Sequence, residues 1–558
     1  MLLMLVSLFG LCIRLAIAWQ PYDWLIRTGS FGDDACYYAA IAHNIAKGNG
    51  ATTDGIHTTN GFQPLWAFML VPIYALGASK ESAINIAMTI LATFSALTGL
   101  VLFLLAKRLW DERVALWVSF FWMTSPTVLR QSLNGMETGL YVFMLSLASL
   151  LIIWHSSRAR QTAFEIVAIG LVLGLVVLSR VDGMPFALAA MLSCAINPAT
   201  CGYAGGNVST AQPFKCARPS FIDSPLIRLS VILFVFLVTL SPWLIYSLVN
   251  TGKLIPESGS AVRYLSLAYI GAIDEGVTWR VLRHSLAQTA STLLRAQQWS
   301  FIKSRIACIV GEQMMAILTI TLLSLALPTL FWLARVGCFR VAVCKLRVML
   351  KLWFWIVHAI ALLLAYSLYQ FGWWFFPRYF FAVVPLGIIA GSLLVEALRL
   401  SLEGLSRNSR LKPLPKLFVV AVVLMQLAQL SIGWHYMQAR MFGAFEEYLN
   451  VAMWLREHIP QDARIGMFQS GTASYLSERT VINLDGVVNG EALKAMLNGQ
   501  MVNYVASQGI SYIADWDELI QLLLVGRSPR EELSKWKLVR LRKGEMSVYK
   551  LVRSMDSK

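Results

Sequence analysis

The chain has 558 residues, of which 57% are hydrophobic and 14% are charged, and its formal net charge is +16. Soluble domains contain about 25% charged residues, so this composition excludes a soluble globular protein for most of the chain. Apolar stretches of about 18 residues or more, long enough to cross a bilayer, recur from end to end. Because Lys and Arg lie mainly between these stretches, the positive charge is typical of membrane topology signals and does not indicate a nucleic-acid partner.

The hydropathy pattern predicts a polytopic α-helical membrane protein with about eleven spans and a C-terminal soluble α/β domain. A membrane domain over 1–434 and an α/β domain over 435–558 are expected. The spans are expected at 2–19, 83–106, 114–130, 137–154, 163–179, 183–197, 228–247, 313–334, 352–371, 379–398 and 417–434.

The loops that are rich in Lys and Arg set the orientation, because such loops stay in the cytoplasm when they are short. They include Lys107 and Arg108, Arg158 and Arg160, and the segment from Arg399 to Lys416. All of them fall on one side if the N-terminus is cytoplasmic. The segments 20–82 and 248–312 and the tail from 435 then face outward.

The tail differs from the rest of the chain in that its charges nearly cancel and its pattern changes from spans to short elements. The pattern predicts helices at 445–458, 491–497 and 518–524, strands at 464–468, 480–484 and 510–514, and a closing hairpin of 537–541 with 546–552.

Two adjacent acids, Asp33 and Asp34, follow the first span directly. Neighbouring carboxylates at a bilayer edge are costly to desolvate, which favours a functional role. The alternative is a solvated pair at the start of a helix, where an Asp satisfies free backbone amides.

The order of short motifs along the chain resembles the GT-C superfamily of membrane glycosyltransferases, in particular the bacterial branch related to protein O-mannosyltransferases and aminoarabinose transferases. The first outward loop contains GDDACYYAAIAHNIAKGNG and TTNGFQPLW. The later motifs are NGMETGLY at 134–141, LSRVDG at 178–183, LIPESGSA at 254–261, FPRYFFAVVPL at 376–386 and VINLDGVVN at 481–489. The chain departs from the pattern at Gln63, where relatives often have a His; Gln63 can donate and accept hydrogen bonds but cannot titrate.

The resemblance implies that the first acid of the loop, Asp33, is the general base and that Asp34 is its partner; the reverse assignment stays open. Glycosyl transfer requires removal of the proton of the acceptor as it attacks the anomeric carbon. A carboxylate beside a second acid can have its pKa raised toward that task.

A phosphate leaving group requires positive charge at the outer membrane edge. Arg378, which precedes Tyr379 at the start of a span, is the best single candidate for phosphate binding, and Arg263 in the second outward segment is another, because Arg binds phosphate oxygens in bidentate geometry. The alternative for Arg378 is an interfacial residue whose charged end extends to the membrane surface among aromatic side chains.

Five further residues are weaker candidates for the same site. Glu137 could orient substrate or bind a metal ion; the alternative is an acid at the start of a helix that the helix dipole stabilises. Arg180 and Asp182 are expected in a supporting role, most simply as a pair with each other. His57 and Asn60 could line the acceptor side of the cavity.

The sequence therefore predicts an inverting glycosyltransferase of the bacterial inner membrane, with a cytoplasmic N-terminus and with its active site and tail in the periplasm. Its donor would be a polyprenyl-phosphate sugar, and its acceptor an unidentified lipid, glycan or protein. No cofactor and no metal site are expected, although Asp33, Asp34 and Glu137 offer oxygen ligands for a divalent ion. The alternatives are a transporter or flippase of lipid-linked sugars and a non-catalytic membrane protein that binds a partner.

Overall fold

The computed structural model describes residues 1–156, 162–196, 224–273, 277–296, 347–369, 371, 377–406, 412–439 and 444–554. In this part of the chain, a helical domain is joined to a small C-terminal sheet. The helices before the tail, α1 to α16 in chain order, are Leu2–Ala18, Tyr22–Arg27, Asp33–Ala46, Pro64–Ala75, Lys80–Leu109, Glu112–Thr124, Pro126–Ser132, Thr138–Ser156, Ala163–Ser179, Met184–Ile196, Pro225–Thr251, Glu257–Tyr269, Trp279–Ala296, Trp353–Leu364, Val384–Ser406 and Leu414–Ala439.

Within the described residues, six helical stretches are long and apolar enough to cross a membrane: Lys80–Leu109, Thr138–Ser156, Pro225–Thr251, Met349–Tyr369, Pro377–Gly404 and Leu414–His435. Shorter apolar helices are Leu2–Ala18, Pro64–Ala75, Ala163–Ser179 and Val181–Ala195. All of these except Pro64–Ala75 coincide with a predicted span, which confirms the membrane character of the chain. The number of eleven spans stays a prediction, and the expected span 313–334 lies outside the described residues.

The expected span 114–130 is not one helix in the structure. It consists of α6 and α7, which are separated at Ser125 by an extended residue whose side chain accepts a hydrogen bond from the amide of Val128. Because Pro126 has no amide hydrogen and disfavours a helical conformation of the preceding residue, a helix is expected to break here. Hydropathy misses the break because both halves are apolar.

The first outward segment folds into the helices α2, α3 and α4. Gly32 is extended just before α3, and the two acids in the first turn of α3 are favoured by the positive end of the helix dipole. Most of α3 is buried against α4 and the tail, so α3 is a central element of the contact between the helical domain and the tail.

The tail contains a five-stranded sheet in the order β2-β1-β3-β5-β4. The three strands β1 (Arg464–Met467), β2 (Thr480–Asn483) and β3 (Ile510–Trp516) are parallel, and the hairpin of β4 (Trp536–Arg542) and β5 (Met546–Arg553) adds to β3 in antiparallel orientation. The helices of the tail are Ala444–His458, Gly471–Leu476, Gly490–Leu497, Met501–Ser507, Asp517–Leu519 and Arg530–Ser534.

These strands confirm the sheet elements that the sequence predicts, within one or two residues at each end. The sequence did not predict the helices Gly471–Leu476 and Met501–Ser507. Both have fewer than eight residues, which is too few to show a helical period.

The tail and the first outward segment share one hydrophobic core. Phe31 and Trp66 from that segment are buried in the same cluster as Leu449, Ile465 and Tyr475 from the tail. Polar contacts join the same two parts: the hydroxyls of Tyr74 and Tyr475 lie 2.8 Å apart.

Two glycines allow the backbones of these two parts to touch. A Cβ on Gly61 would overlap with the carbonyl oxygen of Val487, and a Cβ on Gly471 would overlap with the carbonyl oxygen of Asp33. In both cases the obstacle is backbone, which has no alternative rotamer. Any larger residue therefore has to move the tail away from the membrane domain.

We expect Gly471→Ala to lower the stability of the full chain in detergent by about 1–3 kcal/mol, because the added methyl group separates the tail from α3. Thermal unfolding and limited proteolysis of the tail measure this. The matched control is Gly391→Ala, since a Cβ at Gly391 in α15 meets no atom within 4 Å. Equal melting temperatures for the two variants would contradict the close approach.

Candidate active site

Asp33 and Asp34 contact different partners. Both carboxylate oxygens of Asp33 accept backbone hydrogen bonds from the tail: Oδ1 from the amide of Thr472 at 2.6 Å and Oδ2 from the amide of Gly471 at 3.1 Å. The Asp34 side chain is 41% exposed, and its Oδ2 lies 2.5 Å from Nη2 of Arg378. Because the side chains of consecutive helical residues point about 100° apart, Asp33 and Asp34 contact different neighbours: Asp33 contacts the tail and Asp34 contacts Arg378.

Asp33 is almost completely buried. The pKa of Asp33 is raised to about 6, mainly by burial and in part by the nearby charge of Asp34, while the amides of Thr472 and Gly471 oppose the shift by stabilising the ionised form. Asp33 therefore has the environment of a structural residue: its carboxylate binds backbone amides of the tail, and burial raises its pKa.

Arg378 lies between Asp34 and two other side chains. One guanidinium nitrogen, Nη1, donates to the sulfur of Met136 at 3.2 Å, and the guanidinium carbon lies 5.2 Å from the ring centre of Tyr379. The side chain is 18% exposed. A cation that is partly buried, paired and stacked on an aromatic ring is held in one place.

A second arginine, Arg180, is fully engaged next to this pair. It donates to Oε1 of Glu137 at 3.0 Å, to Oδ2 of Asp182 at 2.9 Å and to the hydroxyl of Tyr366 at 2.8 Å. The expected pair of Arg180 with Asp182 is therefore present, and Glu137 belongs to the same network. All three guanidinium nitrogens of Arg180 donate to charged or polar acceptors, and the Tyr366 hydroxyl donates to Asp182, which makes the group rigid.

The two arginines are linked through stacked tyrosines. The rings of Tyr366 and Tyr379 are 4.7 Å apart and nearly parallel. Arg180 lies over the Tyr379 ring at 5.5 Å, so both guanidinium groups contact this one side chain. The network around Arg180 thereby fixes the position of Arg378.

Gln63, the position that departs from the family pattern, is close to this network. The side-chain Oε1 of Gln63 accepts a hydrogen bond from the backbone amide of Val181, next to Arg180. The backbone amide of Gln63 donates to the hydroxyl of Tyr38. In this chain the side chain at position 63 therefore holds the turn after α9 in place.

The carboxyl edge of the parallel strands of the tail faces the same region. Tyr37 of α3 contacts the hydroxyl of Ser470, which follows β1, and the side chain of Asn483 at the end of β2. Burial raises the pKa of Asp485 to about 7, and the charge of Asp34 contributes to this shift. Burial likewise raises the pKa of Asp515, at the end of β3, to about 7, with a contribution from Asp33. The tail therefore presents buried acids toward the two loop acids.

Sequence reasoning did not single out Asp515, and it assigned the turn that contains Asp485 to the fold of the tail first and to substrate contact second. A signal was available, since both lie at the carboxyl end of a parallel strand, where ligand sites of open α/β sheets occur. Each also has a local structural role: Asp485 accepts from the amide of Val487, and Asp515 accepts from the amides of Phe468, Gln469 and Trp516.

The remaining candidates lie in junctions between other segments. Nδ1 of His57 is 2.6 Å from Asp54, and its Nε2 is 3.2 Å from Oε1 of Gln508 in the tail. Asn60 donates to the hydroxyls of Ser247 and Thr251 and accepts from the amide of Glu257. Arg263 stacks over Tyr369 and Phe371. These contacts connect the first and second outward segments to their neighbours and to the tail.

Over the described ranges, no group of three or more His, Cys, Asp or Glu residues is arranged to hold a metal ion. The expectation that the chain has no metal site stays a prediction.

Comparison with solved structures identifies the fold. The oligosaccharyltransferase of Archaeoglobus fulgidus, crystallised with Zn and sulfate, aligns with a TM-score of 0.52 at 14% identity, over 98% of this chain and 73% of that chain. ArnT of Cupriavidus metallidurans aligns with a TM-score of 0.51 at 12% identity, over 97% of both chains. Both are GT-C glycosyltransferases. This chain has the GT-C fold.

The other two comparisons are less informative. A family described as a domain of unknown function (DUF8728) matches residues 435–551, which include the whole sheet of the tail. No curated protein matches the chain.

A second structure of ArnT from Cupriavidus metallidurans, bound to undecaprenyl phosphate, also aligns with this chain, with a TM-score of 0.51 at 13% identity.

The raised pKa values of Asp33, Asp485 and Asp515 predict how the stability of the tail depends on pH. The folded protein holds protons on these groups up to about pH 6 to 7, whereas an unfolded chain releases them near pH 4. Their contribution to stability is therefore complete below about pH 4 and is lost as the pH rises through 6 to 7. We expect a higher melting temperature at about pH 5 than at about pH 7.5.

The variant Asp485→Asn should reduce this difference, because one of the titrating groups is removed and the side-chain oxygen can still accept from Val487. Asp23→Asn is the matched control, since the side chain of Asp23 is 48% exposed. A melting temperature that falls on acidification to about pH 5 would contradict the sign of the three shifts.

Proposed function

We propose that the chain is an inverting glycosyltransferase that transfers a sugar from a polyprenyl-phosphate donor to an extracytoplasmic lipid, glycan or protein acceptor. One observation carries the proposal: an exposed carboxylate, that of Asp34, lies 2.5 Å from the guanidinium group of Arg378. A general base and a phosphate ligand are the two groups that such a transfer requires, and here they are adjacent. The GT-C fold supports the same activity.

We assign the base to Asp34, which reverses the first assignment made from the sequence. Each oxygen of Asp33 accepts a backbone amide of the tail, and the residue is buried, so its carboxylate is not exposed to an acceptor. Asp34 has one ion-pair partner and an exposed side chain. A base must be within hydrogen-bond reach of the proton that it removes, and of the two acids Asp34 is the accessible one.

The phosphate of the donor would compete with Asp34 for Arg378. A phosphate group offers several oxygens to the planar guanidinium group, which can bind two of them at once. When phosphate oxygens bind the guanidinium nitrogens of the fixed Arg378, they displace the carboxylate of Asp34, which becomes free to accept a proton. Binding of the donor and activation of the base are thereby coupled through one side chain.

The reaction is a single displacement. An oxygen or nitrogen of the acceptor attacks the anomeric carbon, and its proton passes to Asp34. The bond between the anomeric carbon and the phosphate oxygen breaks, and the polyprenyl phosphate leaves with the electron pair. Arg378 stabilises the negative charge that develops on this phosphate. Arg180, Glu137, Asp182 and Tyr366 are positioning residues that hold Tyr379 and, through it, Arg378.

We place this site at the periplasmic face of a bacterial inner membrane. The Lys and Arg distribution puts the first outward segment and the tail opposite the cytoplasm. The shared hydrophobic core of these two parts supports a single outer compartment for both.

The two possible bases are separated by paired substitutions. We expect Asp34→Asn to lower kcat by about 10²- to 10⁴-fold with little change in melting temperature, because an amide cannot accept the proton. Asp33→Asn should instead lower the melting temperature, because an amide has only one oxygen for the two tail amides that Asp33 binds. The assay follows transfer of a labelled sugar from a polyprenyl-phosphate donor, with Asp23→Asn as control.

The opposite result, in which Asp33→Asn abolishes transfer in a normally folded protein and Asp34→Asn remains active, would return the base to Asp33. Unchanged transfer in both variants would remove the proposed base altogether and favour a non-catalytic role.

Arg378 is tested by its effect on the donor. We expect Arg378→Gln to lower kcat/KM for the lipid-linked donor by about 10- to 100-fold, because a charge-assisted contact to the phosphate is lost. Arg378→Lys should recover part of this loss, since Lys keeps the charge but not the bidentate geometry. Arg553→Gln, at the exposed end of β5, is the control. Equal donor kinetics for Arg378→Gln and the control would exclude Arg378 as a phosphate ligand.

A further inference from the structure

A second polar cleft lies between α3, the start of α5 and the tail. Its volume is about 360 Å³, near the lower end of the range for ligand pockets, which corresponds to a single sugar or a headgroup. The residues that line it include His43, Lys47, Lys80, Ser474, Tyr475 and Glu478. We call this region the α3–tail cleft.

The α3–tail cleft is separate from the Asp34–Arg378 pair. His43 is ten residues after Asp33 on the same helix, and at about 1.5 Å of rise per residue the two lie about 15 Å apart along α3. The helix Gly471–Leu476 packs on α3 and supplies Gly471 and Thr472 to Asp33 but Ser474 and Tyr475 to the cleft. The two sites therefore flank the same contact between α3 and the tail.

The charges in the cleft are unbalanced. Glu478 is paired with Arg456 at 2.9 Å, and Asp54, at the edge of the cleft, is bound by His57. No carboxylate of the described residues lies within 4.0 Å of the ammonium groups of Lys47 or Lys80. Two lysines therefore supply positive charge that no neighbouring acid in this part of the chain neutralises by direct contact.

The positive charge and the hydrogen-bond donors converge. Burial, together with the charges of Lys80 and Lys47, lowers the pKa of His43 to about 4, so both lysines lie close enough to act on this one imidazole. Lys80 is oriented by the carbonyl and the ring of Tyr475. The buried hydroxyl of Ser474 has no hydrogen-bond partner among the described residues, so it is free to donate to a ligand.

Lys80, which lines the cleft, begins α5, a helix long and apolar enough to cross a bilayer. The cleft therefore lies at the end of a candidate span, where both lipid headgroups and soluble molecules are expected ligands.

We propose that the α3–tail cleft binds an anionic group, a phosphate or carboxylate carried by a hydroxylated headgroup or sugar, at a site distinct from the catalytic pair. Lys47 and Lys80 supply the charge, and the Ser474 hydroxyl supplies a further donor. Occupation of the cleft bridges α3 and the tail and so strengthens the contact that Asp33 makes. This proposal does not depend on the sugar-transfer activity.

The test measures binding of inorganic phosphate to the full chain in detergent by native mass spectrometry or calorimetry. Arg378→Gln serves as the background, so that phosphate bound at the candidate active site does not contribute. In this background we expect Lys47→Gln and Lys80→Gln each to weaken phosphate binding by about tenfold. Lys494→Gln, an exposed lysine of the tail outside the cleft, should change it less than about twofold.

Lys47 is exposed on the surface, so Lys47→Gln leaves a folded protein even if Lys80→Gln does not. If Lys47→Gln binds phosphate as tightly as Lys494→Gln does, the proposal is overturned.

The source of the anion is identified with two further probes. Retention of phosphatidylglycerol but not phosphatidylcholine, lost in Lys47→Gln, would identify a lipid headgroup. Displacement of phosphate by glucuronate, without retention of phosphatidylglycerol, would identify a soluble acidic sugar. Failure of the unaltered chain to bind either probe or phosphate would overturn the site.

Discussion

The contact on which the rest of the structure depends is the carboxylate of Asp33 at the start of the tail helix Gly471–Leu476. Two backbone amides of the tail bind the two oxygens of this one side chain, and Gly471 is required there because its Cα lies against the backbone of Asp33. The contact attaches a soluble sheet to the first outward loop of a membrane domain. It also requires the burial of a carboxylate, which raises the pKa of Asp33 to about 6 and makes the attachment dependent on pH.

The position of Asp33 determines what Asp34 can do. Because adjacent residues of a helix point about 100° apart, the binding of Asp33 to the tail turns Asp34 away from the tail and toward Arg378. Two identical side chains in sequence therefore have different roles, one structural and one available for chemistry. The rigid group of Arg180, Glu137, Asp182 and Tyr366 then fixes Arg378 through the stacked ring of Tyr379. Such packing holds the Arg378 side chain in a defined position, which contacts with lipid or solvent alone would not do.

Much of the fold could be predicted from the sequence because its signals are local. Runs of apolar residues predict membrane helices, and the alternation and turn residues of the tail predict strands that the structure confirms within one or two residues. Prediction from the sequence failed where an element was too short to show a periodic pattern, or where a helix break depended on the backbone geometry of a proline. The break at Ser125–Pro126 divides an apolar run without changing its hydropathy, and the helix Gly471–Leu476 has too few residues for a period.

By itself the sequence determined the membrane class, the α/β character of the tail and the set of residue types available for the proposed sugar transfer, because composition, periodicity and motif order are properties of the linear chain. Only the tertiary structure decided which of Asp33 and Asp34 is exposed, that Arg378 is the partner of Asp34, and that His57 and Asn60 lie in junctions between segments. It also brought Asp485 and Asp515 toward the loop acids from more than 400 residues away in the chain. The physical reason is that these assignments depend on contacts between distant segments, and no local pattern records which side of a helix another segment will cover.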